Sequence, residues 1–220
     1  MNTSVTSLQA SVRPPQGKVF CIGFNKTGTT SVRVALEALG YTVGNQPVAE
    51  GFITDWANRD FSRIISYCNT ADAFQDIPFS LPDTYQLLDT AFPGSKFILT
   101  FRTSAAIWYS SLTTFHAKVF GGGKIPTEDD LARATYRFKG WALCAMQAIC
   151  AYPKGDPYNK ECLVRAYESH IARVREYFRH RPTDLLTMDL ATEGSFQQFC
   201  DFLGKTSPQD GCFPWENRST

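Results

Sequence analysis

An α/β domain with a mostly parallel sheet covered by helices on both faces is predicted by three observations. Short apolar runs alternate with amphipathic segments along most of the chain. The runs are apolar on both faces, most plainly at Val19–Ile22 and Phe97–Leu99, as strands buried on both faces must be. The stretch Lys18–Ser31, KVFCIGFNKTGTTS, joins such a run to a helical pattern through a loop carrying Gly23, Lys26 and Gly28.

The elements follow in order. Val19–Ile22 is the first strand, and the helix after the loop is apolar at Val32, Ala35, Leu36 and Leu39. Tyr41–Val43 reads as a short second strand, Arg59–Cys68 as a helix, and Ala71–Phe74 as a strand ending at Gln75-Asp76-Ile77-Pro78. Asp83–Phe92 is a helix stopped by Pro93-Gly94, where the chain cannot continue helically. Lys96–Phe101 is the cleanest buried strand after the first and delivers Arg102 to its C-terminal end. Ala105–Phe115 is helical, Gly121–Gly123 is a loop, and a long helix is expected from Thr127. There Thr127 and Asp130 form a capping box, and Leu131, Ala134, Phe138, Trp141 and Ala145 form a stripe. After the break at Pro153–Pro157, a helix buries Leu163, Tyr167, Ile171, Val174 and Phe178. Asp184–Leu190 is a last strand, and Phe196–Leu203 a last helix closing at Gly204.

With 220 residues the chain has the length of one domain with a sizeable core. Residues 1–17 are polar, lack the apolar stretch of a signal peptide and read as a disordered lead-in to a domain over residues 18–217, with 218–220 as a tail. No run is long enough to span a membrane. A formal net charge of +1 excludes a global basic field for nucleic acid, so any anion recognition must be local. Seven scattered cysteines without metal-ligand spacing read as free thiols, which makes the cytoplasm the default location.

A strand, a small-residue loop and a helix N-terminus make an anion cradle: amide groups point into the loop, the helix dipole adds partial positive charge, and Lys26 supplies a full one. Ligands of parallel sheets sit at the C-terminal strand ends. The loop, Asp76 and Arg102 are all expected on that edge.

Lys26 precedes Gly28, so this is not the nucleoside-triphosphatase pattern, which needs lysine after the second glycine. Gly23-Phe24-Asn25-Lys26-Thr27-Gly28-Thr29-Thr30-Ser31 instead resembles the 5′-phosphosulfate loop of the sulfotransferases that use 3′-phosphoadenosine 5′-phosphosulfate (PAPS). In FILTFRTSAAIWYSS, Arg102 and Ser110 resemble that family's R-x₇-S pair for the donor's 3′-phosphate. YESHIARVREYF, DLLTMDL and FPWEN are similar to the C-terminal half of its bacterial-type branch, so the likeness spans about Lys18 to Asn217.

The resemblance implies an architecture like that of P-loop nucleoside-triphosphate hydrolases. It implies a donor site at Asn25, Lys26, Thr27, Gly28, Thr29, Thr30, Ser31, Arg102, Ser110 and, just after FPWEN, Arg218. It also implies PAPS as donor, 3′-phosphoadenosine 5′-phosphate (PAP) as product, and no metal. The family's catalytic histidine, in an H-L-P context, corresponds to Asp76-Ile77-Pro78 here, so Asp76 stands where the base is expected.

Each residue also has a plain reading. Ser110 could be a small residue against the sheet, Asp76 a helix cap or ion-pair partner, Arg218 part of a frayed tail. His170 is either a buried histidine bonded to backbone or an acceptor-site residue and reserve base, while His116 and His180 read as solvated. Trp56, Trp108 and Trp141 read as core. Arg173, Arg175, Arg179 and Arg181 suit a solvated helix end.

The function expected is sulfuryl transfer to a hydroxyl or amine of a small, apolar or aromatic acceptor. Its pocket is expected from Phe52–Trp56, Phe79–Tyr85, Phe115–Gly123 and residues near His170. Two alternatives remain: a P-loop kinase using ATP, and a non-catalytic PAP-binding protein on a degenerate fold. No nucleic-acid partner is expected, and a homodimer stays open.

Overall fold

A computed structural model describes residues 17–207 and 211–214; Arg218, the lead-in before residue 17 and the 218–220 tail lie outside them. In chain order the elements are β1 (Val19–Cys21), α1 (Thr29–Ala38), α2 (Gln46–Glu50), α3 (Ile53–Ala57), α4 (Ser62–Tyr67, followed by a 3-10 turn), β2 (Ala73–Gln75), α5 (Thr84–Ala91) and β3 (Lys96–Thr100). Then come α6 (Ala105–Phe120), α7 (Glu128–Arg133), α8 (Trp141–Ile149), α9 (Lys160–Tyr177), β4 (Leu185–Met188) and α10 (Ser195–Phe202).

The four strands form one all-parallel sheet in the order β2-β1-β3-β4. Successive side chains point to opposite faces. Phe20 and Ile22 join Phe74, Phe97 and Leu99 in the larger core, under helices of the α3–α9 stretch, with Phe20 stacked on Phe97 at 5.6 Å and on Phe74 at 5.7 Å. Val19 and Cys21 join Ala73, Ile98 and Met188 on the other face, which α1 covers with Val32, Ala35 and Leu36 and α10 with Phe196 and Phe199. The layering is the α/β arrangement the sequence predicts.

Three local expectations are corrected. Tyr41–Val43 is not a strand: only Val43 bridges to Ala73, because the chain turns away at Gly44, where a side chain would strike Phe74. The helix from Ala105 continues five residues further, to Phe120, and brings Phe115 and His116 with it. The long helix from Thr127 is two. Its capping box forms as read, but the chain leaves helical geometry at Ala134, and Gly140 at φ 84 restarts it as α8. The stripe misled because Leu131, Trp141 and Ala145 share one core from two helices; the Thr135–Lys139 bridge turns the chain between them.

Two glycines fix where the site forms. A Cβ on Gly23 would lie 2.1 Å from Thr100 Oγ1, so only glycine lets the end of β1 pass β3 this closely. Gly28 sits at φ 101 against Leu190, a left-handed conformation that an L side chain resists.

Candidate active site

The loop from β1 to α1 is anchored from below and open above. Thr27, fully buried, donates to the Phe24 carbonyl at 2.6 Å and pairs with Thr100 Oγ1 at 2.6 Å. Trp108 donates its indole N–H to the Asn25 carbonyl, and Arg102 donates through Nε to the Lys26 carbonyl at 2.9 Å. Arg102 is itself held where its backbone N–H meets the Tyr167 hydroxyl. So clamped, the loop keeps Lys26 at φ 69, a conformation rare for a side chain that size. The first turn of α1 follows, with amide groups that have no intrahelical acceptor.

A cavity of about 290 Å³ opens over this loop. One end is walled by Asn25, Lys26, Gly28, Thr29, Thr30, Arg33, Arg102 and Ser111. The other is walled by Asp76 and Ile77 after β2, Gln46 and Glu50 from α2, Phe115, His116 and Phe120 from α6, and Tyr136, Arg137 and Trp141 around the start of α8. Lys26 and Arg102 make no salt bridge with any described carboxylate. The Lys26 ammonium rests instead over the Phe115 ring, 3.7 Å from its centroid. Burial lowers its pKa, the Asp76 carboxylate raises it, and Arg102 lowers it. Asn25 Oδ1 is buried and has no partner among the described residues.

Asp76 faces this cation from the end of β2, at φ 61. Its Oδ2 accepts from Thr29 Oγ1 at 2.9 Å and its Oδ1 from the Ile77 N–H at 2.9 Å. Burial pushes its pKa up, and Thr29, the Ile77 amide and Lys26 pull it back only partly. The residue joins the loop to the strand end and caps no helix: Ile77-Pro78 is a cis peptide, and α5 starts at Thr84.

Not every expected site residue reaches the cavity. Thr27 points its hydroxyl into the core. Ser31 is buried within the first turn of α1, and Ser110 lies exposed on α6 while its neighbour Ser111 lines the wall. His170 corrects the acceptor-site reading. It is 4% exposed, donates through Nε2 to the Ile22 carbonyl at 2.8 Å and stacks on Phe24 at 4.4 Å, underneath the loop and away from the cavity. Burial holds its pKa down at about 4, so it is neutral. Neither Phe52–Trp56 nor Phe79–Tyr85 lines the cavity; Phe52, Ile53, Trp56, Phe79, Leu81 and Tyr85 are core, and Trp56 donates to Thr84 Oγ1.

Sequence reasoning missed His116 and the pair Glu50–Arg137. His116 is buried, not solvated: helix α6 runs far enough to turn it inward, and its Nδ1 meets the Tyr158 hydroxyl at 2.7 Å. Glu50 accepts from Arg137 Nε and offers its backbone carbonyl to the Trp141 indole, closing the far end of the cavity. Burial raises the Glu50 pKa; the Arg137 hydrogen bond opposes this. A single acid in a five-residue helix carried no signal. Trp141 serves both core and wall.

Among known proteins, the family model described as a sulfotransferase domain matches residues 18–220. A solved gluconokinase from Sinorhizobium meliloti 1021 is 16% identical, with 77% of this chain and 99% of that one covered and a TM-score of 0.36, too low to carry an argument. No curated protein matches the chain.

Proposed function

The chain belongs to the sulfotransferase-domain family, and from that premise we propose that it moves the sulfuryl group of PAPS to a hydroxyl or amine of a small acceptor with an aromatic or apolar body. The observation that carries this reading is the pair of cations, Lys26 and Arg102. Both line the cavity at a helix N-terminus, and neither has a described carboxylate as salt-bridge partner. Partly buried positive charge left unpaired in this way is suited to an anionic ligand. The orphaned Asn25 Oδ1 beside it offers an acceptor for a ligand N–H or O–H.

PAPS, when bound, supplies an activated sulfuryl group on a phosphate leaving group. Lys26 and the first-turn amides of α1 neutralise the charge that grows on the leaving oxygen. Asp76 takes the proton of the acceptor O–H or N–H as the new bond to sulfur forms and the bond to the leaving oxygen breaks. Its raised pKa makes it a better base than an ordinary carboxylate. Arg102, with Ser110 exposed on the following helix, binds the 3′-phosphate. Phe115, Phe120, Tyr136 and Trp141 supply the aromatic wall for the acceptor.

The test compares nucleotides. PAP raises the melting temperature and ADP raises it far less, because charge-assisted bonds to the 3′-phosphate contribute about 1.5–3 kcal/mol each. Arg102→Ala erases the difference. Equal stabilisation by ADP and PAP removes the 3′-phosphate assignment and favours an ATP-dependent kinase instead.

A further inference from the structure

His116 is a titratable group at the cavity wall that the reading above leaves without a role and that the structure nonetheless holds in place. It sits one residue after Phe115, the ring that carries the Lys26 ammonium. Lys26 is near enough to disfavour a proton on it. Its Nδ1 is engaged by the Tyr158 hydroxyl at 2.7 Å. Tyr158 is in turn 5% exposed, and its backbone carbonyl accepts from the Tyr109 hydroxyl, so the pair is tied to both α6 and the loop before α9.

The proton positions follow from chemistry. The Tyr158 hydroxyl has no other partner among the described residues. With no other described acceptor for its proton, the Tyr158 O–H is assigned as the donor to Nδ1, which leaves the ring's proton on Nε2. Nε2 has no described partner either. It is also absent from the buried polar atoms left without one, which among the described residues are Asn25 Oδ1 and Gln75 Oε1, so it keeps contact with open space at the cavity wall. Burial holds His116 neutral, with a pKa of about 3.

The geometry points to His116, oriented by Tyr158, as an uncharged N–H donor to the oxygens of the transferring sulfuryl group, a role that rests on the sulfotransfer reading above. Lys26 serves the leaving oxygen, and His116 serves the group in flight. A neutral donor suits that place. Sulfuryl oxygens carry charge in both ground and transition states, and a preorganised N–H adds stabilisation without another cation beside Lys26, Arg33 and Arg102. The role also predicts discrimination between the intact donor and its desulfated product.

The experiment measures PAPS and PAP affinity by titration calorimetry in wild type, His116→Phe, His116→Gln and Tyr158→Phe, with melting temperatures to confirm folding. His116→Phe weakens PAPS by about tenfold, the scale of one lost charge-assisted bond, and leaves PAP within about twofold. His116→Gln, which places an N–H near Nε2, recovers part of the loss. Tyr158→Phe, which frees the tautomer, gives an intermediate loss for PAPS and none for PAP. PAPS and PAP weakening together, or PAPS unchanged in His116→Phe, overturns the inference while leaving the sulfotransfer reading intact. Should His116→Phe fail to fold, the Gln and Tyr158→Phe variants decide by the same ratio. Wild type that binds neither nucleotide overturns the sulfotransfer reading, and this inference with it.

Discussion

Replacing Asp76 by asparagine separates a base from a brace. The carboxylate accepts two hydrogen bonds at 2.9 Å, from Thr29 Oγ1 and the Ile77 amide. Bonds to a charged acceptor contribute about 1.5–3 kcal/mol each and neutral ones about 0.5–1.5, so the amide forgoes about 2 kcal/mol of charge assistance over the pair. Against this stands the burial that raises the pKa of Asp76 above its ordinary 3.8 despite both bonds and Lys26. A raised carboxylate pKa means the folded state holds the proton more tightly than the unfolded one. The stability contribution is therefore full below the unfolded value and is lost as pH rises through the folded value. Near neutral pH the charge at this position opposes folding, and neutralising it removes that opposition.

The two terms oppose one another, so the asparagine variant is expected to fold, with a melting temperature close to that of wild type. The shape and the Ile77 bond are kept, and Thr29 can turn its hydroxyl round to accept from the amide. Turnover, in contrast, falls by about 10²–10⁴ if the carboxylate takes the acceptor's proton. The assay is transfer of label from sulfur-labelled PAPS to a panel of phenols, alcohols and arylamines, with rates expressed per folded molecule across pH. Wild type shows an acid limb above the range of an exposed carboxylate, and Asp76→Asn lacks it. A variant that loses 8 °C or more yet keeps its rate and its acid limb refutes the reasoning and makes Asp76 a structural tie between loop and strand.

Lys26→Ala lowers turnover by about 10²–10³, the scale of one preorganised transition-state donor, while titration still detects PAP bound to the α1 amides and Arg102; unchanged turnover would reduce Lys26 to a cation parked on Phe115. His170→Ala, beneath the loop, loses about 2–4 kcal/mol of packing and hydrogen bonding, seen as a lower melting temperature, with rate per folded molecule kept within a few-fold. His170 is neutral when folded, with a pKa of about 4 against 6.5 free, so its contribution holds above pH 6.5 and is lost as pH falls toward 4. A melting-temperature profile across that window flattens in the variant by up to about 3 kcal/mol, and a profile that does not change removes His170 from the acid sensitivity.

The parallel sheet was legible because strands buried on both faces carry consecutive apolar residues, as Val19–Ile22 and Phe97–Leu99 do. The cradle was legible for a similar reason: Gly23, Lys26 and Gly28 are close in sequence, and the backbone path between a strand end and a helix start is a local matter. Arg102 and Asp76 could be placed on the same edge because parallel topology sends every strand's C-terminus the same way. Of what lies opposite that edge, only the stretch from Phe115, which supplies Phe115 and Phe120, was named, and the rest could not be read. His116 looked solvated, since its exposure depends on how far α6 runs and on Tyr158, 42 residues away. Glu50 and Arg137 meet across 87 positions through a helix of five residues and a turn that Gly140 creates inside an apparently continuous stripe. His170 and Ser110 sat at plausible spacings, but spacing along a helix says which residues share a face and not what that face meets. Short-range chemistry is written in neighbouring residues, whereas the acceptor wall is assembled from segments far apart in the chain that meet in one core.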